Sequence, residues 1–156
     1  MFSRIFPKQI DNAYRGHWLA LVILAVILVF RSLMCFNGIF DTPQIATAAD
    51  GIPVAHFTPD AAQVVLSLFS LLAASNFMPV LLGLFALLRY RAMVPFVYLL
   101  LLLQSLVSRG VGLLHPMATV HGSSSAIGSG VILALFAVAV LGFVLSLLNR
   151  SDSQEA

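Results

Sequence analysis

AAQVVLSLFSLLAASNFMPVLLGLFALL, residues 61–88, runs for 28 positions without a charged side chain. A hydrocarbon core about 30 Å thick is crossed by about 20 apolar residues rising about 1.5 Å each. This stretch is therefore long enough to span a bilayer, with length left for tilt or for extension past the membrane. Three further runs share its character, at 17–38, 93–114 and 126–148; Arg31 and Arg109 each interrupt one of them. The pattern predicts an all-α membrane protein, a four-transmembrane-helix bundle over residues 17–148. Residues 1–16 form an N-terminal segment in the cytoplasm or at the interface, and 149–156 a cytoplasmic tail.

Composition agrees. Of 156 residues, 60% are hydrophobic and 9% charged, with a mean hydropathy of +1.02, whereas roughly a quarter of residues are charged in a soluble domain. Repeats, long linkers and low-complexity tracts are absent, so the chain is expected to form one domain. A signal peptide is the competing account of the N-terminus. The Ala46-Thr47-Ala48 triplet lies too far beyond the first apolar run for a cleavage site, with Arg31, Asn37, Asp41 and Pro43 between them. The first run is thus expected to be a retained span. Phe2, Ile5, Phe6 and Ile10 suit a short surface anchor ahead of it, limited by Pro7.

The remaining basic residues set the orientation. Arg4, Lys8 and Arg15 precede span one, Arg89 and Arg91 fill the turn between spans two and three, and Arg150 follows span four. None falls in the 40–59 or 116–125 connections. By the positive-inside rule both termini and the Arg89–Arg91 turn are cytoplasmic. Tyr14, Trp18 and Tyr90 suit an interfacial belt on that side. The expected location is a bacterial-type inner membrane, and the net charge of +2 reports topology, with no basis for nucleic-acid binding.

Helix packing in lipid relies on small residues and on polar side chains that bond across. Ala126, Gly130 and Ala134 recur at four-residue spacing along span four, and Gly142 with Ser146 repeats the pattern. Ser67, Ser70 and Ala74 make a comparable stripe on span two, leading to Asn76 and Pro79. Pro79 has no N–H for the carbonyl of Ser75, so a kink is expected there. Asn76 beside it serves either a ligand or neighbouring helices. Cys35, the single cysteine, has no internal disulfide partner and is expected to be a small packing residue.

On span three, Gln104, Ser108 and Gly112 line one helical row and Ser105 and Arg109 the adjoining one. Measured from the inner ends, Arg31 and Arg109 both belong to the outer half, at similar depth. An arginine near the bilayer centre costs about 2.5–3.5 kcal/mol on insertion scales, so neither should sit bare in lipid. Three accounts stand. Each Arg snorkels to the outer headgroups; or Asp41, Asp50 or Asp60 folds back from the outer connection to pair with it; or the two Arg, with Gln104, Ser108 and Asn76 as polar neighbours, form a pocket for an anion or lipid headgroup.

Catalytic and cofactor signals are missing. His56, His115 and His121 are placed outside with Asp41, Asp50 and Asp60, but His115 and His121 lack the i, i+4 spacing that brings two imidazoles together, and His17 is at the opposite face. No metal or other cofactor is expected. No Asp or Glu lies within a span, which argues against intramembrane hydrolysis and proton-coupled transport. Phe77, Met78, Phe85 and Phe96 suit either lipid contact or the lining of a lipophilic cavity.

LFRSLMCFNGIFDTP, LLRYRAMVPFVYLLLLL and SRGVGLLHP, followed by a final helix rich in small residues, give the chain a layout that resembles small bacterial four-helix membrane proteins of the DoxX-like group. The resemblance covers most of 17–148 and rests on topology and on Arg31, Gly38, Arg109 and Gly112. It implies a four-helix bundle and a role as an accessory subunit of a membrane complex. The chain departs from that group in lacking the acidic residue often placed in a later span. The leading expectation is a non-catalytic integral membrane protein acting through helix contacts, as an accessory or assembly subunit or by self-association. The alternative is binding or transport of an anionic lipid or small lipophilic molecule through Arg31 and Arg109.

Overall fold

The computed structural model describes residues 14, 16–48, 51–115 and 123–148, with Ile5 and Asn12 in addition, and over 123–129 the backbone alone. Among the described residues five α-helices follow one another: α1 (Trp18–Phe40), α2 (Thr42–Ala48), α3 (Pro59–Arg89), α4 (Val94–Leu114) and α5 (Ser123–Leu147). Single 3₁₀ turns at Val54–His56 and Arg91–Met93 precede α3 and α4. Four of the helices are long and apolar enough to cross a membrane, α2 being the exception. The all-α bundle with four membrane-spanning segments is the architecture expected of a multi-pass membrane protein.

Local chemistry sets where the helices start. His17 turns its Nδ1 onto the backbone N–H of Leu19 at 3.2 Å, which caps α1. Thr58 accepts from the N–H of Ala61 at 3.4 Å, and Pro59 takes the first helical position, where no N–H is needed. That cap starts the helix two residues ahead of the apolar run. At the other end α1 passes Gly38 and continues to Phe40, because Gly38 is a contact position: a Cβ there would lie 2.8 Å from the Cβ of Ala73 on α3. Helix α3 is continuous through Pro79, so the proline does not divide the span.

The four long helices form an up-down-up-down ring in the order α1, α3, α4, α5. Helix α1 packs along α3 and α5, α4 packs along both of these, and α1 meets α4 on the diagonal. The core lies in the half of the bundle that holds the Arg89–Arg91 turn, termed here the basic end. Leu24, Ile27 and Leu28 of α1 are buried there with Val80 of α3, Val97, Tyr98 and Leu101 of α4, and Ala139 of α5. Tyr98 donates to the carbonyl of Ala20 at 2.7 Å, a diagonal bond fully inside the core.

Small residues let the backbones close at this end. A Cβ on Gly142 would run into the Tyr98 ring, and one on Gly16 would meet the carbonyl of Ser146. His17 adds a backbone bond to the carbonyl of Leu145 at 3.3 Å. The Gly142 and Ser146 part of the small-residue pattern therefore packs on α4 and on the start of α1. Its other part does not: Gly130 has nothing within 4 Å of a Cβ and Ala134 is exposed, while the side chain of Ala126 is outside the described residues.

Toward the far end fewer of the described side chains are buried. Helices α1 and α3 stay in contact through Cys35, Gly38 and Ala73, all buried, and through Phe36 against Phe77 with ring centroids 5.2 Å apart. On α4 no residue beyond Leu101 is buried, and on α5 none from Gly130 to Val138. Among the described residues, burial is concentrated at the basic end.

Candidate functional site

The polar centre sits at the edge of this buried core. Arg31 projects from α1 one turn beyond the core residues Ile27 and Leu28. Its Nη1 donates to Oε1 of Gln104 at 3.0 Å and its Nη2 to Oγ of Ser105 at 3.0 Å, both on α4 across the diagonal. Gln104 in turn donates through Nε2 to Oδ1 of Asn76 on α3 at 2.6 Å. The orientation of the Gln104 amide follows from its partners, since a guanidinium has only donors to offer and must face the amide oxygen. Ser105 passes its proton to the carbonyl of Leu101 at 2.8 Å, leaving its oxygen free to accept from Arg31. Three helices are thus joined by one chain of hydrogen bonds.

Every one of these partners is neutral. Hydrogen bonds between transmembrane helices contribute under about 1 kcal/mol on average and up to about 1.7, so the two offset part of the about 2.5–3.5 kcal/mol cost of placing an arginine at mid-membrane. They make Arg31 tolerable without cancelling its charge.

Arg109 follows Ser105 by four residues and stands one turn farther out on the same row of α4. Its guanidinium carbon lies 6.0 Å from the centroid of the Phe136 ring on α5, within cation–π range. Its Nε is buried and has no hydrogen-bond partner among the described residues. The head of Arg31 meets residues 104 and 105, while the guanidinium of Arg109 turns toward Phe136 on α5.

Of the residues singled out in the sequence, Arg31, Gln104 and Asn76 come together. Ser105, noted only as a neighbour on the row, is a direct partner of Arg31. Ser108 is exposed and lies outside the network, and Gly112 has open space around it. Asp41 follows the last turn of α1, where its N–H bonds the carbonyl of Asn37, and Asp60 lies in the first turn of α3. Both are exposed, and neither is a partner of Arg31 or Arg109. Asp50 and His121 are outside the described residues, as are Arg4, Lys8, Arg15 and Arg150. Arg31 turns inward across the bundle to Gln104 and Ser105, which is not the course of a side chain snorkelling to the outer headgroups, one of the three accounts.

Among the described residues no group of three His, Cys, Asp or Glu is placed to hold a metal ion. His56 and His115 are exposed at helix ends. Elsewhere a groove of about 720 Å³ runs between α2 and the first half of α3, lined by Thr42, Pro43, Gln63, Ser67, Ser70 and Ala74 among others. Comparison with known protein families, with curated proteins and with solved structures finds no match.

Proposed function

We propose that this protein is a non-catalytic integral membrane protein that binds an anionic lipid or another lipophilic anion in the less buried half of its bundle. Arg31 carries the proposal: a guanidinium half-buried within four apolar helices, held by the neutral oxygens of Gln104 and Ser105 and by no carboxylate among the described residues. A charge left in surroundings of low dielectric attracts a counter-ion strongly, and an amphiphile brings its charge along with a tail that suits exposed apolar helix faces. The positive-inside pattern assigns the basic end to the cytoplasm of a bacterial-type inner membrane and opens the site toward the outer leaflet. Extraction in mild detergent followed by native mass spectrometry tests this. An anionic lipid should be retained on the wild type and lost from the Arg31→Ala, Arg109→Ala double variant. A wild type that carries no ligand, with a double variant that behaves identically, would overturn it.

A second reading has its own observation. The row Ser67, Ser70 and Ala74 lines the groove beside α2, as a face that takes another transmembrane helix would. Under that reading the protein is an accessory or assembly subunit, or self-associates, in line with the DoxX-like resemblance. A strictly monomeric species with no copurifying protein in mild detergent would remove it.

A further inference from the structure

We infer that Asn76 is a ligand contact: its amide nitrogen and the Nε of Arg31 hold a monoanionic head that has acceptor oxygens and no donor, as a carboxylate or a phosphodiester has. The inference rests on the anion-binding reading above and adds to it the residue that selects the head.

The hydrogen-bond inventory is the first ground. The oxygens of Gln104 and Ser105 accept from Arg31, and the amide oxygen of Asn76 accepts from Gln104. The hydroxyl proton of Ser105 goes to the carbonyl of Leu101. Each side-chain oxygen of the network is therefore engaged, while its nitrogens keep N–H groups without a partner among the described residues: Arg31 three of five, Gln104 one of two and Asn76 both. The Asn76 amide cannot be turned the other way, because the Gln104 nitrogen that meets it can only donate. The network thus has donors and one positive charge to give to a ligand.

Position is the second. The Gln104 amide lies between the two residues, 3.0 Å from the guanidinium of Arg31 and 2.6 Å from the amide oxygen of Asn76, so both heads flank one small group. Neither Arg31 nor Asn76 is an exposed residue, yet among such residues the Nε of Arg109 is the one partnerless nitrogen that is fully enclosed. The Nε of Arg31 and the Nδ2 of Asn76 are therefore reachable from outside as well as unpaired. Asn76 stands near the middle of α3, at a depth where lipid tails have no acceptor to give. An N–H left unmet there costs free energy that an anionic oxygen restores. Ser75 beside it is the contrast: its hydroxyl already donates to the carbonyl of Leu71 at 2.9 Å and needs no ligand.

The test is binding to the full chain in mild detergent, read by native mass spectrometry, with oleate, phosphatidylmethanol, oleamide and methyl oleate as probes. Oleate and phosphatidylmethanol, whose heads are anionic and free of donors, are expected to bind roughly tenfold or more tightly than the two neutral probes. The tighter of the two names the carboxylate or the phosphodiester as the head. Asn76→Asp keeps the oxygen that Gln104 needs and puts a second oxygen where the nitrogen stood. It should lower oleate binding roughly tenfold or more, and should bind oleamide, which has N–H groups to donate, more tightly than methyl oleate, which has none. Ser75→Ala should bind all four probes as the wild type does. If Asn76→Asp does not fold by circular dichroism, Asn76→Leu replaces it, with oleate expected to weaken roughly tenfold and methyl oleate to stay unchanged. Loss of oleate from Asn76→Asp with oleamide and methyl oleate bound equally would mean that the new charge acts on Arg31 from a distance, and that Asn76 is no contact. That result, an equal loss in Ser75→Ala, or oleate bound by the position 76 variant as by the wild type would overturn the inference while leaving the anion reading standing. Wild-type binding of oleate and phosphatidylmethanol no tighter than that of methyl oleate would overturn both.

Discussion

At Gln104 a single amide meets two opposite needs, its oxygen facing the guanidinium of Arg31 and its nitrogen facing the oxygen of Asn76. Replacing it with Leu removes both bonds and leaves a cation without one of its two partners. Hydrogen bonds between transmembrane helices average under about 1 kcal/mol and reach about 1.7. Gln104→Leu is therefore expected to cost about 1–2 kcal/mol, and Ser105→Ala, which removes one bond, about half as much. Unfolding by SDS in mixed micelles, followed by circular dichroism, checks the order of the two. The need for a partner at Arg31 was legible in the sequence, because an arginine in an apolar run has to be met by something. The identity of that partner was not: Gln104 is 73 positions away, and the exposed aspartates of the connecting segment were as plausible by charge alone. Tyr98 escaped notice for a related reason. It stands among Val and Leu in an apolar run, and its only signal is the hydroxyl, which a buried tyrosine must bond and which finds the carbonyl of Ala20.

Glycines divide the helices into segments that are packed and segments that are not. Gly142 lies against Tyr98, so Gly142→Ala drives a methyl into a ring that its hydrogen bond holds in place, at an expected cost of about 1–3 kcal/mol. Gly112 and Gly130 face open space, and alanine there should be neutral or should stabilise by about 0.5–1 kcal/mol through helix propensity alone. The same SDS titration decides between these signs, and equal effects at all three positions would contradict this division. Four-residue spacing of small residues is identical in both parts of the last span, which is why sequence alone could not separate them. Helix limits, by contrast, were readable to within three residues, since they follow apolar length, modified by caps such as Thr58 and Pro59.

As a whole the molecule buries most of its core at one end, and that asymmetry has a direct measure. In a Cys35→Ala background, spin labels at the exposed positions Leu88 and Leu148 should give a narrow distance distribution by pulsed electron paramagnetic resonance, and labels at Leu113 and Leu133 a broader one. Equal widths would mean that the far halves of α4 and α5 are as fixed as the core. The bond from Arg31 to α4 has a further consequence, in the order of events during synthesis. The first span emerges from the ribosome with its arginine, while Gln104 and Ser105 follow 73 and 74 residues later. At about 5–20 residues per second the gap is about 4–15 s. For that interval a cation sits in the translocation machinery or the young bilayer without the two side chains that will hold it. The third span is then the keystone of assembly, arriving to a charge already waiting for it.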